Sequence, residues 1–408
     1  MCLKKMYTPT KLKRLVACQG SIQLITALSA LTCREKEQQG TNVEYDNYLV
    51  IYDLRTPENQ SNTFANFIKK MAEEVCTWQK IVYIQPEQMQ ALQAKLNLVR
   101  LNLSNIQQVF SLVHKLTGIS SADEIYLSKN YDIWDRLLLN VYESAKKICY
   151  GDSIGLYLSA SSTVLQVEPR SLNYKLKRLL KSFISTKNSI DEINFDVGYF
   201  TISNFNTLSA SPPMKVVTVN KAVTLNIFQR LRGVVGKVVD SDYINNLHTK
   251  LVNNSVSILL TSNFSEATRM SEENEISAYQ NFLKIHKRED NTILIIKPHP
   301  RDSAVKIEKL QCSLNRLFSE VIVISELSWF FLPFELFLME VFLDRNLVPH
   351  CDIKIFAFSS ACLSLKFLFN LPCIIGFGSE ITHQSFYDEQ VNKRIQHELE
   401  LNYLLQQI

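Results

Sequence analysis

Short apolar runs recur along the first 150 positions, and the segments between them repeat their apolar residues every three or four places. Leu15–Cys18, Tyr48–Tyr52, Ile81–Ile84, Leu98–Leu103, Glu124–Leu127 and Lys147–Tyr150 read as strands. Helical patterns lie between them at Leu24–Leu31, Phe64–Trp78, Ile106–Leu116 and Ile133–Ala145. Strands that alternate with helices predict a parallel sheet covered on both faces. From about Ser159 to Val223 this rhythm breaks. Within the break, Asn173–Lys187 sets Lys175, Lys177, Arg178, Lys181 and Lys187 around Leu176, Leu179, Leu180 and Phe183, the pattern of a basic amphipathic helix. Such a helix either packs on its domain with a solvated basic face or docks a polyanion or an anionic membrane surface.

After a polar helical connector near Ser241–Asn254 the alternation restarts. Ser257–Leu260, Ile293–Ile296, Glu320–Ile324, Ile353–Phe358 and Cys373–Gly376 read as the strands of a second doubly wound sheet. Residues 1–240 are therefore expected to form one Rossmann-like domain with a basic helical insertion near 159–223, and residues 241–385 a second. The last helical stretch, within 386–408, is expected to pack back on the first. A chain of 408 residues exceeds one ordinary core, in keeping with two domains.

Composition narrows the class. With 46% hydrophobic and 21% charged residues the chain is globular, and 44 Lys+Arg against 40 Asp+Glu gives only +4, too mild a charge to argue for nucleic acid. Nine cysteines show no CxxC and no paired spacing, as expected of reduced thiols in a cytoplasmic protein. No signal-peptide pattern follows the N-terminal lysines. Glu335 and Glu340 interrupt the best candidate for a membrane span. The seven histidines are scattered, so no metal site is expected.

The candidate chemistry sits where strands end. Ile293–Ile296 runs into Lys297-Pro298-His299-Pro300-Arg301. Proline on both sides fixes the backbone about the imidazole, at the edge of an open α/β sheet where ligands bind. Lys297, His299 and Arg301 could all donate to an anion, most simply a phosphate. Ile353–Phe358 ends in Ser359-Ser360 and a helical pattern, which either caps that helix or binds phosphate with the same geometry. Thr261-Ser262 reads as a further helix opening on the same rim. Glu335, alone in the apolar stretch Ser328–Met339, needs a partner. A cytosine amino group, a helix cap or an arginine would serve. In the first domain, Gln19–Gln23 turns from strand to helix and offers Gly20 and Ser21, while Tyr150–Gly155 carries the lone acid Asp152.

KPHP, the serine pair, Pro333-Phe334-Glu335 and the acidic turn occur in the order seen in bacterial sialyltransferases. The chain most resembles the alpha-2,8-polysialyltransferase-like family, in which a segment like Glu124–Ser128 leads to the acidic turn. That resemblance implies an α/β, GT-B-like fold of two Rossmann-type domains facing each other across a cleft. It also implies a metal-independent, inverting sialyltransferase with no cofactor beyond its CMP-sialic acid donor. Asp152 would be the base and His299 would act on the phosphate. Glu335, Ser359, Ser360, Lys297, Thr261 and Ser262 would bind the nucleotide, and Gly20, Ser21, Lys175 and Arg178 the acceptor. The acceptor would be an anionic glycan or glycolipid of capsule or lipooligosaccharide type, met in the cytoplasm or at the inner membrane face.

The turn departs from the acid-acid-glycine pattern of the wider bacterial sialyltransferases. Gly151-Asp152-Ser153 keeps one acid, and Gly155 is expected to supply the permissive turn. Two rivals remain open at this point. One is a CDP-polyol phosphotransferase of teichoic-acid type; the other is a binding protein with a decayed site.

Overall fold

A computed structural model describes residues 10–41, 43–54, 56, 59–102, 106–129, 132–154, 193–203, 214–251, 254–286 and 292–408. Its strands form two sheets. The first holds β1 (Thr10–Cys18), β2 (Val43–Ile51), β3 (Lys80–Tyr83), β4 (Glu124–Leu127), β5 (Lys146–Cys149), β6 (Val197–Phe200) and β7 (Lys215–Thr218), in the order β3-β2-β1-β4-β5-β6-β7. The second holds β8 (Ser255–Leu260), β9 (Thr292–Lys297), β10 (Glu320–Val323), β11 (Ile353–Ala357) and β12 (Cys373–Ile375), in the order β10-β9-β8-β11-β12. Within both sheets the pairing is parallel. This is the α/β, doubly wound Rossmann-like architecture expected from the alternation.

In each sheet the strand order reverses beside its earliest strand, β1 or β8. Beyond the C-terminal ends of strands at such a reversal, an α/β sheet leaves its ligand crevice. Helices cover the faces, so the inner strands β8, β9 and β11 are buried along most of their length rather than alternating. All six residues of β9 are buried. One core joins Leu15, Val50, Ile125 and Leu127 to the helices Pro86–Asn102, Gln107–Thr117 and Ile133–Val141. The other gathers Leu259, Leu294, Ile296 and Phe356 around Phe264, Tyr279, Phe282 and Phe377.

Several expectations change. Leu98–Leu103 is not a strand: the helix Pro86–Asn102 covers its described part, because Pro86 suits a first helical position and Met89, Leu92 and Leu96 bury one helical face. The segment expected as an insertion contributes β6 and β7 to the first sheet. Each is four residues long, too short to show a period. Lys175 and Arg178, with the rest of the basic helix, lie outside the described residues, as does Gly155. The compact units are Met1–Leu54 with Ile68–Ile227, and Arg55–Phe67 with Phe228–Ile408, so the division does not fall at 240.

The terminal helix, Asp388–Gln407, belongs to the second unit and not to the first. Arg394 donates to the Phe358 carbonyl at 3.1 Å and to Glu398 at 2.6 Å. Both carboxylate oxygens of Glu398 accept backbone N–H bonds from Phe377 (2.9 Å) and Gly378 (3.0 Å), at the start of the helix Gly378–Ser385. Charge-assisted bonds of this kind contribute about 1.5–3 kcal/mol each. Gly376, at φ +78°, makes room for them, since a Cβ there would stand 2.2 Å from the Glu398 carboxyl carbon.

Candidate functional site

In the first unit the strand ends bring together the turns after β1 and β5. Gly151 has φ +80°, so the glycine before Asp152 supplies the permissive turn that Gly155 was expected to provide. A side chain there would also press on Phe200, whose ring lies 3.0 Å from the position of a Cβ. Asp152 accepts a 2.8 Å hydrogen bond at Oδ1 from Gln23 Nε2, and among the described residues this is its only hydrogen-bond partner. It does not hold its own backbone as an Asx turn would. Gln23 is buried in the first turn of the helix Ser21–Glu37, and its Oε1 accepts the Gln19 N–H at 2.7 Å. Gln19 in turn donates to Asp53 at 3.0 Å. Gly20 caps the helix with extended backbone, and among the described residues a Cβ at Gly20 would meet nothing within 4 Å. Ser21 is buried at the first helical position.

Beneath this turn lies Asp135, fully buried on the helix Ile133–Val141. One of its oxygens accepts from Tyr52 Oη, and among the described residues the other has no partner. Burial pushes its carboxyl up to about 7. Gln19, Gln23 and Asp135 were not foreseen from sequence.

The second unit builds its site on three neighbouring strands. Register sets Leu260 of β8 beside both Lys297 of β9 and Ala357 of β11. Thr261, His299 and Ser359 therefore leave the sheet at one edge. Thr261 is buried, and its hydroxyl is already committed. It donates to Asp302 Oδ2 at 2.5 Å and accepts the His299 N–H at 2.8 Å, so it holds the turn. No helix opens at Thr261-Ser262. Turns follow, and the next helix starts at Glu272. The Ser262 N–H is taken by the Tyr279 hydroxyl at 2.8 Å.

His299 is half-buried. Its backbone N–H is fixed by Thr261 and by Asp302 Oδ2 at 2.8 Å, and its Nδ1 accepts the Arg301 N–H at 3.1 Å. Burial, with the Arg301 and Lys306 cations nearby, lowers its pKa to about 4, so at neutral pH the ring is uncharged. A neutral imidazole that accepts at Nδ1 carries its proton on Nε2. Among the described residues no group accepts that proton.

Lys297 differs from its expected role as an anion donor. As the last residue of a fully buried strand its side chain turns inward, donating to the Phe330 carbonyl at 2.7 Å beside the Phe330 ring. Burial lowers its pKa to about 7. Asp302 is bound instead to Lys306, whose buried ammonium also meets Glu266 at 2.7 Å and Glu275 at 3.1 Å. That cluster ties the turns after β8 and β9 to the helices Glu272–His286 and Ala304–Leu314.

Ser360 is the N-cap of the helix Ala361–Phe369, yet it makes no side-chain capping bond. The capping explanation for the serine pair thus loses its geometry. Among the described residues neither hydroxyl has a partner, and both residues are partly exposed. Glu335 is 6% exposed, and its partner is the Ser364 hydroxyl on that same helix, at 2.5 Å. Burial raises its pKa. Ser364, 29 positions away, was also missed.

The sequence model of the family described as Alpha-2,8-polysialyltransferase (POLYST) matches residues 14–341, which include Asp152, His299 and Glu335 and end before the serine pair. No curated protein sequence matches the chain. Similar solved structures are distant. UDP-GlcNAc 2-epimerase from Methanocaldococcus jannaschii has a TM-score of 0.42 and 10% identity, over 96% of this chain and 93% of that one. UDP-GlcNAc 2-epimerase from Neisseria meningitidis bound to UDP-GlcNAc has 0.45 and 9%, over 90% and 82%. The glycosyl transferase family 9 protein from Veillonella parvula has 0.35 and 8%, over 98% and 99%. Among the described residues no helix is long and apolar enough to cross a membrane.

Proposed function

The chain belongs to the alpha-2,8-polysialyltransferase family, a family of glycosyltransferases, and on that premise we propose that it transfers sialic acid from CMP-sialic acid, with inversion, to an anionic glycan. The observation that carries this reading is the bond that His299 Nδ1 accepts from the Arg301 N–H, which leaves the ring proton to Nε2. A neutral ring with its Nε2–H uncommitted, held at a strand end by two backbone bonds, suits a group that gathers negative charge without accepting a proton from solvent. The CMP phosphate becomes more negative as the glycosidic bond breaks, and a fixed donor aimed at that charge stabilises the transition state.

Ser359 and Ser360 supply further donors to the phosphate, and Glu335 with Ser364 addresses the base. Asp152 takes the proton of the acceptor hydroxyl as its oxygen attacks the anomeric carbon, and CMP departs. In this reading the donor is the sole small-molecule requirement, so EDTA leaves the rate unchanged.

A thermal-shift series tests the donor class, because a ligand selective for the folded state raises its stability. CMP should raise the melting temperature where UMP, GMP and AMP do not. CMP-sialic acid should be consumed, with transfer to labelled oligosialic acid. Consumption of a CDP-polyol with CMP-sialic acid untouched would replace this reading with phosphotransfer.

A further inference from the structure

Gln23 sits where a capping residue would, three positions after the N-cap Gly20, and its Oε1 binds a backbone N–H just upstream at Gln19. Glutamate and glutamine serve equally well in such a cap, because the oxygen does the work. Capping therefore leaves the amide nitrogen unexplained. That nitrogen is the atom that reaches Asp152, 129 positions away in sequence, at 2.8 Å. The Gln19 N–H also fixes which way the amide faces, since a flipped amide would set two donors against each other. Asp152 thus meets a permanent, uncharged donor on Oδ1 and keeps Oδ2 without a partner among the described residues.

We infer that Gln23 is a positioning residue that holds Asp152 through Oδ1 and so reserves Oδ2 for the acceptor hydroxyl. The inference rests on the reading of Asp152 as the base. A neutral donor in this place does one thing that a second acid could not do across the whole pH range: it never becomes a like charge beside the base. The other ionisable groups that feel Asp152 are Asp135, from the helix Ile133–Val141, and Cys149 and Tyr150 at the end of β5. Asp53 lies one step further along the chain of bonds, on Gln19.

Four full-length variants test this: Gln23→Leu, Gln23→Glu, Asp152→Asn and the double variant Gln23→Leu/Asp152→Asn. Each is checked for an unchanged circular dichroism spectrum, then assayed with CMP-sialic acid and labelled oligosialic acid. Gln23→Leu should lower kcat about 10- to 100-fold, the scale for losing one hydrogen bond to a charged group, with donor KM within about twofold of the parent. Gln23→Glu should approach parental kcat only while the acid pair shares one proton, and should lose activity along an added alkaline limb that the parent lacks. The double variant should be no slower than Asp152→Asn, because a group that acts through Asp152 has nothing to act on without it. If Asp152→Asn is inactive while Gln23→Leu and Gln23→Glu keep parental kcat and pH profiles, the inference for Gln23 is wrong and the reading of Asp152 stands. A uniform loss in Gln23→Glu at every pH would equally overturn it, as a packing defect. Full activity of Asp152→Asn would overturn both.

Discussion

Replacing Lys306 by methionine keeps a flexible chain of similar volume and removes the ammonium that Glu266, Asp302 and Glu275 share. The side chains of Asp302 and Glu275 are 0% exposed, so neither can turn to water for compensation. Breaking a buried pair by deleting one partner costs about 3–5 kcal/mol, whereas the change of shape alone costs under about 1.5 kcal/mol. For a cooperative unit of about 200 residues, the size of the second unit, that corresponds to a fall in melting temperature of roughly 6–20 °C. The loss should depend on pH. Burial already raises the carboxyls of Asp302 and Glu275, so the folded state binds more protons than the unfolded one as pH rises above the ordinary carboxylate range, and stability declines through that window. Lys306 limits the decline. Burial acts against its charge, but Asp302 and Glu275 hold its pKa above the usual lysine value, so its stabilising charge persists through neutral pH. Without it the two carboxyls should stay protonated to higher pH, and the penalty should be small near pH 5 and large at pH 8. Thermal melts of the parent and Lys306→Met at both pH values measure this. A melting-temperature gap that is equal at the two, or under about 2 °C at pH 8, would refute the idea that the ammonium balances buried negative charge.

Three further outcomes are expected. His299→Ala should lower kcat by about 10²- to 10⁴-fold in a transfer assay, the range for a lost catalytic donor or acid, with little change in melting temperature because alanine keeps the two backbone bonds and the ring gives up only the exposed bond from the Arg301 N–H among the described residues. Ser359→Ala/Ser360→Ala should weaken CMP by about 10-fold or more in calorimetry and leave stability within about 0.5 kcal/mol, since neither hydroxyl caps the helix. Glu335→Gln should keep its bond to Ser364 yet relax discrimination between CMP and UMP, because a carboxamide presents either a donor or an acceptor; unchanged selectivity would remove Glu335 from base recognition.

What could be read from sequence was local. His299 stands out because its prolines and its strand lie within a few residues of it, and Asp152 because it closes an apolar run. Their supports are distant in the chain: Gln23 is 129 positions from Asp152, and Ser364 is 29 from Glu335. No periodicity links such pairs. Lys297 was misjudged because charge was read ahead of burial, and a lysine ending an inner strand follows the strand. The strands β6 and β7 escaped notice because four residues hold barely two alternations. The terminal helix was legible as a helix but not the surface it would cover, and the buried pair Arg394–Glu398 decides that in favour of the second unit.

Glu398 has a consequence for where an anion can settle. Beyond the adjacent strands β11 and β12 two helices begin, at Ala361 and at Gly378, and each start exposes backbone N–H groups that favour negative charge. The chain fills one of these berths with its own carboxylate, delivered from its last helix. At its neighbour, behind Ser359 and Ser360, neither serine hydroxyl makes a bond among the described residues. A phosphate arriving at this edge of the sheet would thus be steered by exclusion as well as attraction. Removal of the helix Asp388–Gln407 would not merely shorten the protein; it would unmask a competing berth one strand away from the site proposed for the phosphate.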